Sequence, residues 1–303
     1  MPKDKKVLVT GATGQIAGPI AENFSQNNEV WCAARFSDPA RKAELEALGI
    51  KTCVWDMGSG EFSTMPDDFT HVVHAALNTD PDYDKSIRYN AEAVALLMQH
   101  CRKAEAFLHV SSFSVYSKHD DHPHHAYAET DATGGYGPYV AVYPVLKIAS
   151  EVAVRAAARM LHLPTTIARM NTGYSWTGHG GMPVRYFHML AEGMPVPAPI
   201  DFDNIASPIG GVDIGNQAHL LLEVASVPAT IVNWAGDDRV SDPEMCAYIA
   251  ELTGVEAKFT RTELQFGGFA SDNTRREQLI GKCSVYWKDG VRDTFARLGI
   301  ISD

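Results

Sequence analysis

Along the first 170 residues, two hydrophobic rhythms take turns. Val7, Leu8 and Val9 form a short apolar run that stops at Thr10 and a glycine turn, which predicts a buried strand over 7–10. Apolar positions at helical spacing follow to about residue 26, and 30–34 reads again as a strand. Residues 39–48 place Arg41, Lys42, Glu44 and Glu46 on the polar side of a helix, and a third strand over 51–55 closes at Asp56. Strands at 71–76, 107–111 and 165–170 and helices at 82–102 and 143–161 continue the succession. Such alternation predicts an α/β protein, a doubly wound parallel sheet with helices on both faces.

Beyond Arg169 the rhythm breaks. Gly173, Gly178, Gly180 and Gly181 crowd together, and Pro195, Pro197 and Pro199 follow. We read 171–210 as excursions that build a smaller lobe, with a helix over 212–224 and a strand over 230–234 rejoining the sheet. Segments 243–252, 258–262, 274–280 and 291–298 predict a small mixed cap. The expected organisation is a sheet domain of residues 1–170 plus about 211–242, and a discontinuous C-terminal substrate lobe of about 171–210 plus 243–303.

Composition narrows the partners. With a formal net charge of -11 and no Lys/Arg-rich run, the chain is not expected to bind nucleic acid or an anionic membrane. The 5 cysteines are scattered without metal-site spacing, which fits reduced thiols in a cytoplasmic protein. The apolar run after Lys3, Lys5 and Lys6 is too short for a secretion signal, and no apolar stretch is long enough to span a membrane.

Candidate chemistry begins at Gly11-x-x-Gly14-x-x-Ala17, between the first strand and the first helix. Gly11 permits a tight turn, Gly14 lets backbone approach a pyrophosphate, and Ala17 with Gly18 allows close helix–strand packing. At the end of the second strand stands Ala34, then Arg35, where an NAD site usually offers an acid to the ribose. A guanidinium there suits a 2′-phosphate, so NADP(H) is favoured and NAD(H) stays open. Asp56 is placed either to accept from the adenine amino group or to cap the next turn. Tyr143 and Lys147, at i and i+4, share one helix face, where an ammonium lowers a phenol's pKa. A serine at the end of the fifth strand, Ser111 or Ser112, then holds a substrate oxygen while the tyrosine moves its proton. Pro144 biases Tyr143 away from helical angles, so the helix is expected to begin near Tyr143.

With these residues assembled, nearly the whole chain resembles the extended short-chain dehydrogenase/reductase family, the NAD-dependent epimerase/dehydratase group. Thr10-Gly11-Ala12-Thr13-Gly14 is similar to its cofactor turn, and His74-Ala75-Ala76 to the stretch that lines the cofactor after strand four. Asn90 sits where the family keeps a supporting Asn, and Val110-Ser111-Ser112-Phe113-Ser114-Val115-Tyr116 resembles its serine-bearing strand end. Residues 272–281 resemble its C-terminal segment.

The resemblance implies a Rossmann fold and a catalytic set of Ser112, Tyr143, Lys147 and Asn90, with Ser111 and Ser114 as lesser choices for the serine. It implies a cofactor wall of Gly11, Thr13, Gly14, Gln15, Ile16, Arg35, Asp56, Met57, His74, Ala75, Ala76, Asn90, Ser111, Tyr143, Lys147 and Met170. Leu77, Ser112, Phe113, Asn171, Thr172, Trp176 and Arg185 are the expected substrate side, although an aromatic such as Trp176 packs as often as it reads a ligand. Ser117 replaces a family glycine, and Thr172 stands where nucleotide-sugar enzymes often place an asparagine, which weakens the case for a nucleotide-sugar substrate.

The loop 117–137 carries His119, His122, His124 and His125 with Asp120, Asp121 and Glu129. No helical ligand pair stands among them, so no metal is expected and a lid over a small-molecule substrate is the preferred reading. Met182, Met189 and Met194 are read as lobe core, and Asp213 as a helix N-cap. The exposed faces of helices 82–102 and 144–161 suit a homodimer. The expected activity is an NAD(P)-dependent oxidoreductase acting on a carbonyl or secondary alcohol. The alternatives are a nucleotide-sugar epimerase or dehydratase with tightly held NAD, and a cofactor-sensing protein without chemistry, against which the retained Ser112, Tyr143 and Lys147 speak.

Overall fold

A computed structural model describes residues 3–119, 122–137, 140–263 and 269–302. Its centre is a 7-stranded sheet built from β1 (Lys6–Thr10), β2 (Glu29–Ala34), β3 (Lys51–Val54), β4 (His71–His74), β5 (Ala106–Ser112), β6 (Thr165–Met170) and β7 (Thr230–Trp234). The order is β7-β6-β5-β4-β1-β2-β3, and every pairing is parallel. The strand order therefore reverses between β1 and β4, the place where open parallel sheets open a crevice at their carboxyl ends. Parallel registry brings those ends together, with Thr10 beside Ala33 and His74, and Ser112 beside Met170.

The helices are α1 (Ala17–Ser25), α2 (Pro39–Ala47), α3 (Tyr83–Ile87), α4 (Ala93–His100), α5 (Val142–Leu161), α6 (Met182–Ala191), α7 (Gly211–Glu223), α8 (Asp242–Thr253), α9 (Thr274–Ile280) and α10 (Trp287–Arg297). Successive side chains of a strand point to opposite faces. Val7 and Val9 accordingly pack with Ile20 and Phe24 of α1 and Ile214 and Leu221 of α7. Leu8 packs on the other face with Leu97 of α4 and Val154 of α5. Burial on both faces explains why the strands read as continuous apolar runs.

The single helix expected over 82–102 is interrupted. Asp82 caps α3 by accepting from the Lys85 N–H at 3.1 Å, and a π-helical turn, Arg88–Glu92, separates α3 from α4. Helix α5 starts at Val142, so Pro144 lies in its first turn, where a backbone N–H has no intrahelical partner to lose. The Tyr143 N–H donates instead to the Val140 carbonyl at 3.0 Å.

A third hydrophobic cluster joins Val184 and Leu190 of α6, Val196, Met245 and Ile249 of α8, and Val291 and Phe295 of α10. Two expectations fail here. Asp213 is no N-cap, because α7 begins at Gly211; its carboxylate accepts from the Ser284 N–H (2.8 Å), the Ser284 hydroxyl (2.7 Å) and the Val285 N–H (3.1 Å), fastening the C-terminal segment. Met194 is 45% exposed rather than core and Met189 is only half-buried outside the cluster, whereas Met182, also half-buried, packs against it. Among the described residues, no helix is long and apolar enough to cross a membrane.

Candidate active site

The glycine turn is shaped by close approach. Gly11 has φ +76°, and a Cβ there would lie 2.8 Å from the Ala76 Cα. Thr10 holds that neighbour in place: its Oγ1 accepts from the Ala76 N–H at 3.3 Å and pairs with His74 Nδ1 at 2.8 Å. From the other side the segment after β6 folds over the turn. The Ser175 hydroxyl donates to the Gln15 carbonyl (2.7 Å) and the Thr177 hydroxyl to the Gly14 carbonyl (3.0 Å). Gly178 has φ +60°, and a Cβ on it would come within 2.7 Å of the Gln15 nitrogen. Among the described residues, no side chain caps α1, and an uncapped helix N-terminus attracts anions.

A cleft of about 830 Å³ runs from this turn along the carboxyl edge of the sheet. Gly11, Thr13, Gly14, Gln15, Ile16, Arg35, Asp56, Met57, Ala75, Ala76, Ser111, Tyr143, Lys147 and Met170 line it, together with Leu77, Ser112, Asn171 and Trp176. A glycine cradle that a single Cβ would obstruct, at the switch point of a parallel sheet, fits a dinucleotide. At the far end of β2, Arg35 is exposed and, among the described residues, unpaired with any acid; Ser37 and Arg41 line the same corner. Asp56 both lines the cleft and accepts from the Gly58 N–H at 3.0 Å, so neither of its readings is displaced.

Where the cleft ends, Ser112 and Tyr143 line it together, and the Ser112 hydroxyl works against the effect of burial on the phenol. The three serines are thereby sorted. Ser111 donates to Glu151 at 2.5 Å, and Ser114 is buried off the cleft. Lys147 is buried and donates from Nζ to the Val110 carbonyl at 2.9 Å, with Nζ 5.8 Å from the Tyr143 ring centre. Burial pulls its pKa down to about 8, and Glu151 partly offsets this. The Tyr143 phenol moves opposite to expectation: burial pushes it above its usual value, with the Ser112 hydroxyl as the counterweight. The Lys147 ammonium is turned to the Val110 carbonyl.

Behind this group lies an ion pair that sequence reasoning missed. Glu151 and Arg169 are buried and bond twice, at 2.9 and 3.0 Å, while the Arg169 guanidinium lies 4.8 Å over Tyr116. Glu151 follows Lys147 by four residues on α5, so one helix face presents both; that spacing was the available signal.

Three expected site residues stand back from the cleft. The Asn90 amide is engaged by the Asn78 N–H (3.1 Å), the Asn78 carbonyl (2.7 Å) and the Ser86 carbonyl (2.7 Å), because the π-helical turn directs it inward; it holds Asn78, which lines the cleft. His74 is buried beneath the wall, and burial lowers its pKa to about 3, so it acts there as a neutral partner of Thr10. Phe113 begins a 3₁₀ turn that rotates it into a small core, edge-on to Tyr116. Trp176 does line the cleft, its indole N–H donating to Glu22 at 2.9 Å and its ring 3.8 Å beneath the Arg297 guanidinium.

A second cavity of about 960 Å³ opens toward the lobe and shares Gln15, Tyr143, Asn171, Gly178 and His179 with the cleft. Thr172 and Arg185 line it, and so do Met182, Met189 and Met194. The histidine loop is anchored rather than loose: Glu129 accepts from the Asn233 N–H of β7 at 2.7 Å, and His124 pairs with the Asp203 carbonyl at 3.0 Å. His125 pairs with Asp131 at 2.6 Å, and His119 places a ring nitrogen within 4.8 Å of both. Asp120 and Asp121 of the same loop lie outside the described residues.

Residues 7–195 match the NAD dependent epimerase/dehydratase family. Among curated proteins, the chain is 22% identical over 317 residues to an Arabidopsis thaliana trifunctional UDP-glucose 4,6-dehydratase/UDP-4-keto-6-deoxy-D-glucose 3,5-epimerase/UDP-4-keto-L-rhamnose-reductase, covering 96% of this chain and 47% of that protein. The chain thus spans about half the length of this plant relative. Among solved structures, it is similar in fold to UDP-glucuronic acid 4-epimerase from Bacillus cereus in complex with UDP-glucuronic acid and NAD (TM-score 0.81, 19% identity, 97% and 99% of the two chains). UDP-N-acetylglucosamine 4-epimerase from Methanobrevibacter ruminantium M1 gives a TM-score of 0.82 at 15% identity, over 99% of each chain.

Proposed function

Since the chain belongs to the NAD dependent epimerase/dehydratase family, we propose that it is a nicotinamide-dependent oxidoreductase acting on a carbonyl or secondary alcohol. The observation that carries this reading is Tyr143, which lines both cavities where they meet, with Ser112 beside it at the end of the cleft. Gly11, Gly14 and Met170 line the cleft that would hold a nicotinamide cofactor, which would supply or accept the hydride. The chain's residues manage the oxygen: Ser112 holds it, and Tyr143 delivers the proton as a carbonyl becomes an alcohol or removes it in reverse. A phenol whose pKa burial keeps high is protonated at neutral pH and so stands ready as the acid for reduction. Lys147 anchors α5 to β5 and places a positive charge beside the reacting group. Asn90 positions the 78–80 segment rather than touching substrate.

We assign the cofactor as NADP(H), with NAD(H) second, because Arg35 has no acidic partner among the described residues and lines the cleft just past the end of β2. Residues 1–170 plus about 211–242 are proposed as the Rossmann domain, and about 171–210 plus 243–303 as the substrate lobe. Leu96, Val145, Val152 and Met160, exposed on α4 and α5, support a homodimer through those helices, and the scattered cysteines support a cytoplasmic location.

The relatives' activities on UDP-sugars favour one further reading, an epimerase or dehydratase in which NAD stays bound. Purified protein carrying stoichiometric NAD supports that reading; exchangeable NADPH with a net absorbance change supports the reductase. Under either, Tyr143→Phe loses turnover by about 10²–10⁴-fold with cofactor binding retained. Near-normal turnover in that variant sinks both.

A further inference from the structure

The second cavity carries information about the substrate beyond its reacting oxygen. Three rows build its wall. Helix α6 contributes Met182 and Met189 at helical spacing, the turn after it contributes Met194, and the C-terminal end contributes Leu298 and Ile300. Met194 and Leu298 leave 45% and 37% of their surface accessible, apolar area of the kind that a bound apolar body covers.

Of the polar side chains near Tyr143, Gln15 and Asn171 are engaged within the protein, while Thr172 and the exposed His179 also line the wall. The Gln15 amide nitrogen donates to the Gly173 carbonyl at 3.2 Å. Asn171 accepts from the Thr172 N–H (2.8 Å) and the Ser207 N–H (3.1 Å), and its amide nitrogen donates to the Phe269 carbonyl. The charged residues, Arg185, His188 and Glu192, lie on exposed positions of α6 and just past its end, and they are of mixed sign. A nucleotide sugar brings a base edge, sugar hydroxyls and a diphosphate dianion, each of which loses water on entry and needs a partner. Most of this wall is instead methionine, leucine, isoleucine, valine and glycine, and among the described residues Thr172 and His179 are its few uncommitted polar groups beside Tyr143. Volume does not decide the matter, because a cavity of about 960 Å³ admits either kind of molecule; the chemistry of the wall does.

Resting on the oxidoreductase reading above, we infer that the substrate is a ketone or secondary alcohol with a predominantly apolar body, and that it is not a nucleotide sugar. Its oxygen points to Ser112 and Tyr143, and its carbon frame lies along Met182, Met189 and Leu298. In reduction, the carbonyl carbon gains the hydride of NADPH, the oxygen takes the Tyr143 proton, and NADP⁺ and the alcohol leave. The tyrosine then regains a proton from solvent.

The test uses the full chain saturated with NADPH. Binding and cofactor oxidation are measured separately for cyclohexanone, 2-decalone and UDP-glucose. The expected result is that 2-decalone binds at least about tenfold more tightly than cyclohexanone, because it adds a second apolar ring. UDP-glucose neither binds nor displaces it. Leu298→Lys and Met189→Lys each weaken 2-decalone binding by about tenfold or more and leave NADPH affinity unchanged, since neither residue lines the cofactor cleft. Binding of UDP-glucose in place of 2-decalone overturns the inference, as does the absence of binding by any of the three, or wild-type affinity for 2-decalone in both variants. Tight 2-decalone binding without NADPH oxidation leaves the substrate class standing and removes the oxidoreductase reading.

Discussion

Lys147 donates from Nζ to the carbonyl of Val110 at 2.9 Å, so the buried ammonium is spent on tying helix α5 to strand β5 beside the reacting serine and tyrosine. That placement has a thermodynamic cost. The folded protein holds this lysine at a pKa of about 8, below its ordinary 10.5, because burial disfavours the charged form. Below pH 8 both states carry the proton and the full penalty, about 3 kcal/mol, bears on the folded state. Between 8 and 10.5 the unfolded chain binds more protons, so this group's contribution to stability rises with pH. Lys147→Met should therefore raise the melting temperature near pH 7 while removing activity, and its advantage over wild type should shrink as pH climbs through that window. Thermal melts of both proteins from about pH 6 to about pH 10 check this; a variant less stable than wild type near pH 7 contradicts it.

The Glu151–Arg169 pair behind Lys147 behaves differently when broken. Both side chains are buried, and Glu151 also accepts from Ser111. Removing one partner strands a buried charge and costs about 3–5 kcal/mol, whereas replacing both with apolar residues is far milder. Glu151→Met should destabilise strongly, and the double variant Glu151→Met/Arg169→Met should recover much of the loss. Urea denaturation of the two variants decides it. Equal losses in both would mean that the pair does not act as a unit.

The sheet is readable from sequence because a strand buried on both faces must be apolar throughout, and the helices between strands carry one polar side each. The cleft follows for a related reason: it opens at the carboxyl ends of these strands, and the close approach of Ala76 requires a glycine at position 11. What escapes is local geometry that shifts a side chain by a fraction of a turn. The π-helical turn at Arg88–Glu92 directs Asn90 away from the cleft, and the 3₁₀ turn at Phe113–Val115 buries Phe113. Glu151 and Arg169 escape because a charged residue in a helix or strand looks solvent-facing until its partner, distant in sequence, is placed beside it. The direction of the Tyr143 shift also depends on burial, which residue spacing alone cannot supply.

Gly178 is one of a crowded group of glycines in the sequence, yet it alone among them lies against the backbone of the cofactor turn. Its φ of +60° and the 2.7 Å that would separate a Cβ from the Gln15 nitrogen leave no room for a side chain. The clash is with backbone, so relief requires the 175–181 segment to lift from Gly14 and Gln15 and to loosen the bonds of Ser175 and Thr177. Gly178→Ala should lower stability by about 1–3 kcal/mol and weaken dinucleotide binding more than Gly180→Ala does. Titration of cofactor fluorescence in the two variants measures the difference; equal affinities would remove Gly178 from the cradle.

Arg35 provides the sharpest test of cofactor choice. It follows Ala34 at the end of β2, it is exposed and without an acidic partner among the described residues, and Ser37 and Arg41 line the cleft beside it. Arg41 is itself engaged by Glu44 at 2.8 Å and Glu22 at 3.3 Å, which leaves Arg35, among the described residues of this corner, as the cation available to a 2′-phosphate. A charge-assisted, two-pronged contact of this kind exceeds an ordinary hydrogen bond in strength, and a lysine cannot reproduce its geometry. Arg35→Glu replaces attraction with repulsion for NADPH and offers NADH a carboxylate for its free hydroxyls. NADPH affinity should fall by about 10²-fold, NADH affinity should hold or rise, and Arg35→Lys should lie between wild type and the glutamate variant. If NADPH and NADH affinities instead fall together in Arg35→Glu, the arginine stacks on the adenine without reading the phosphate, and the NADP(H) assignment is lost.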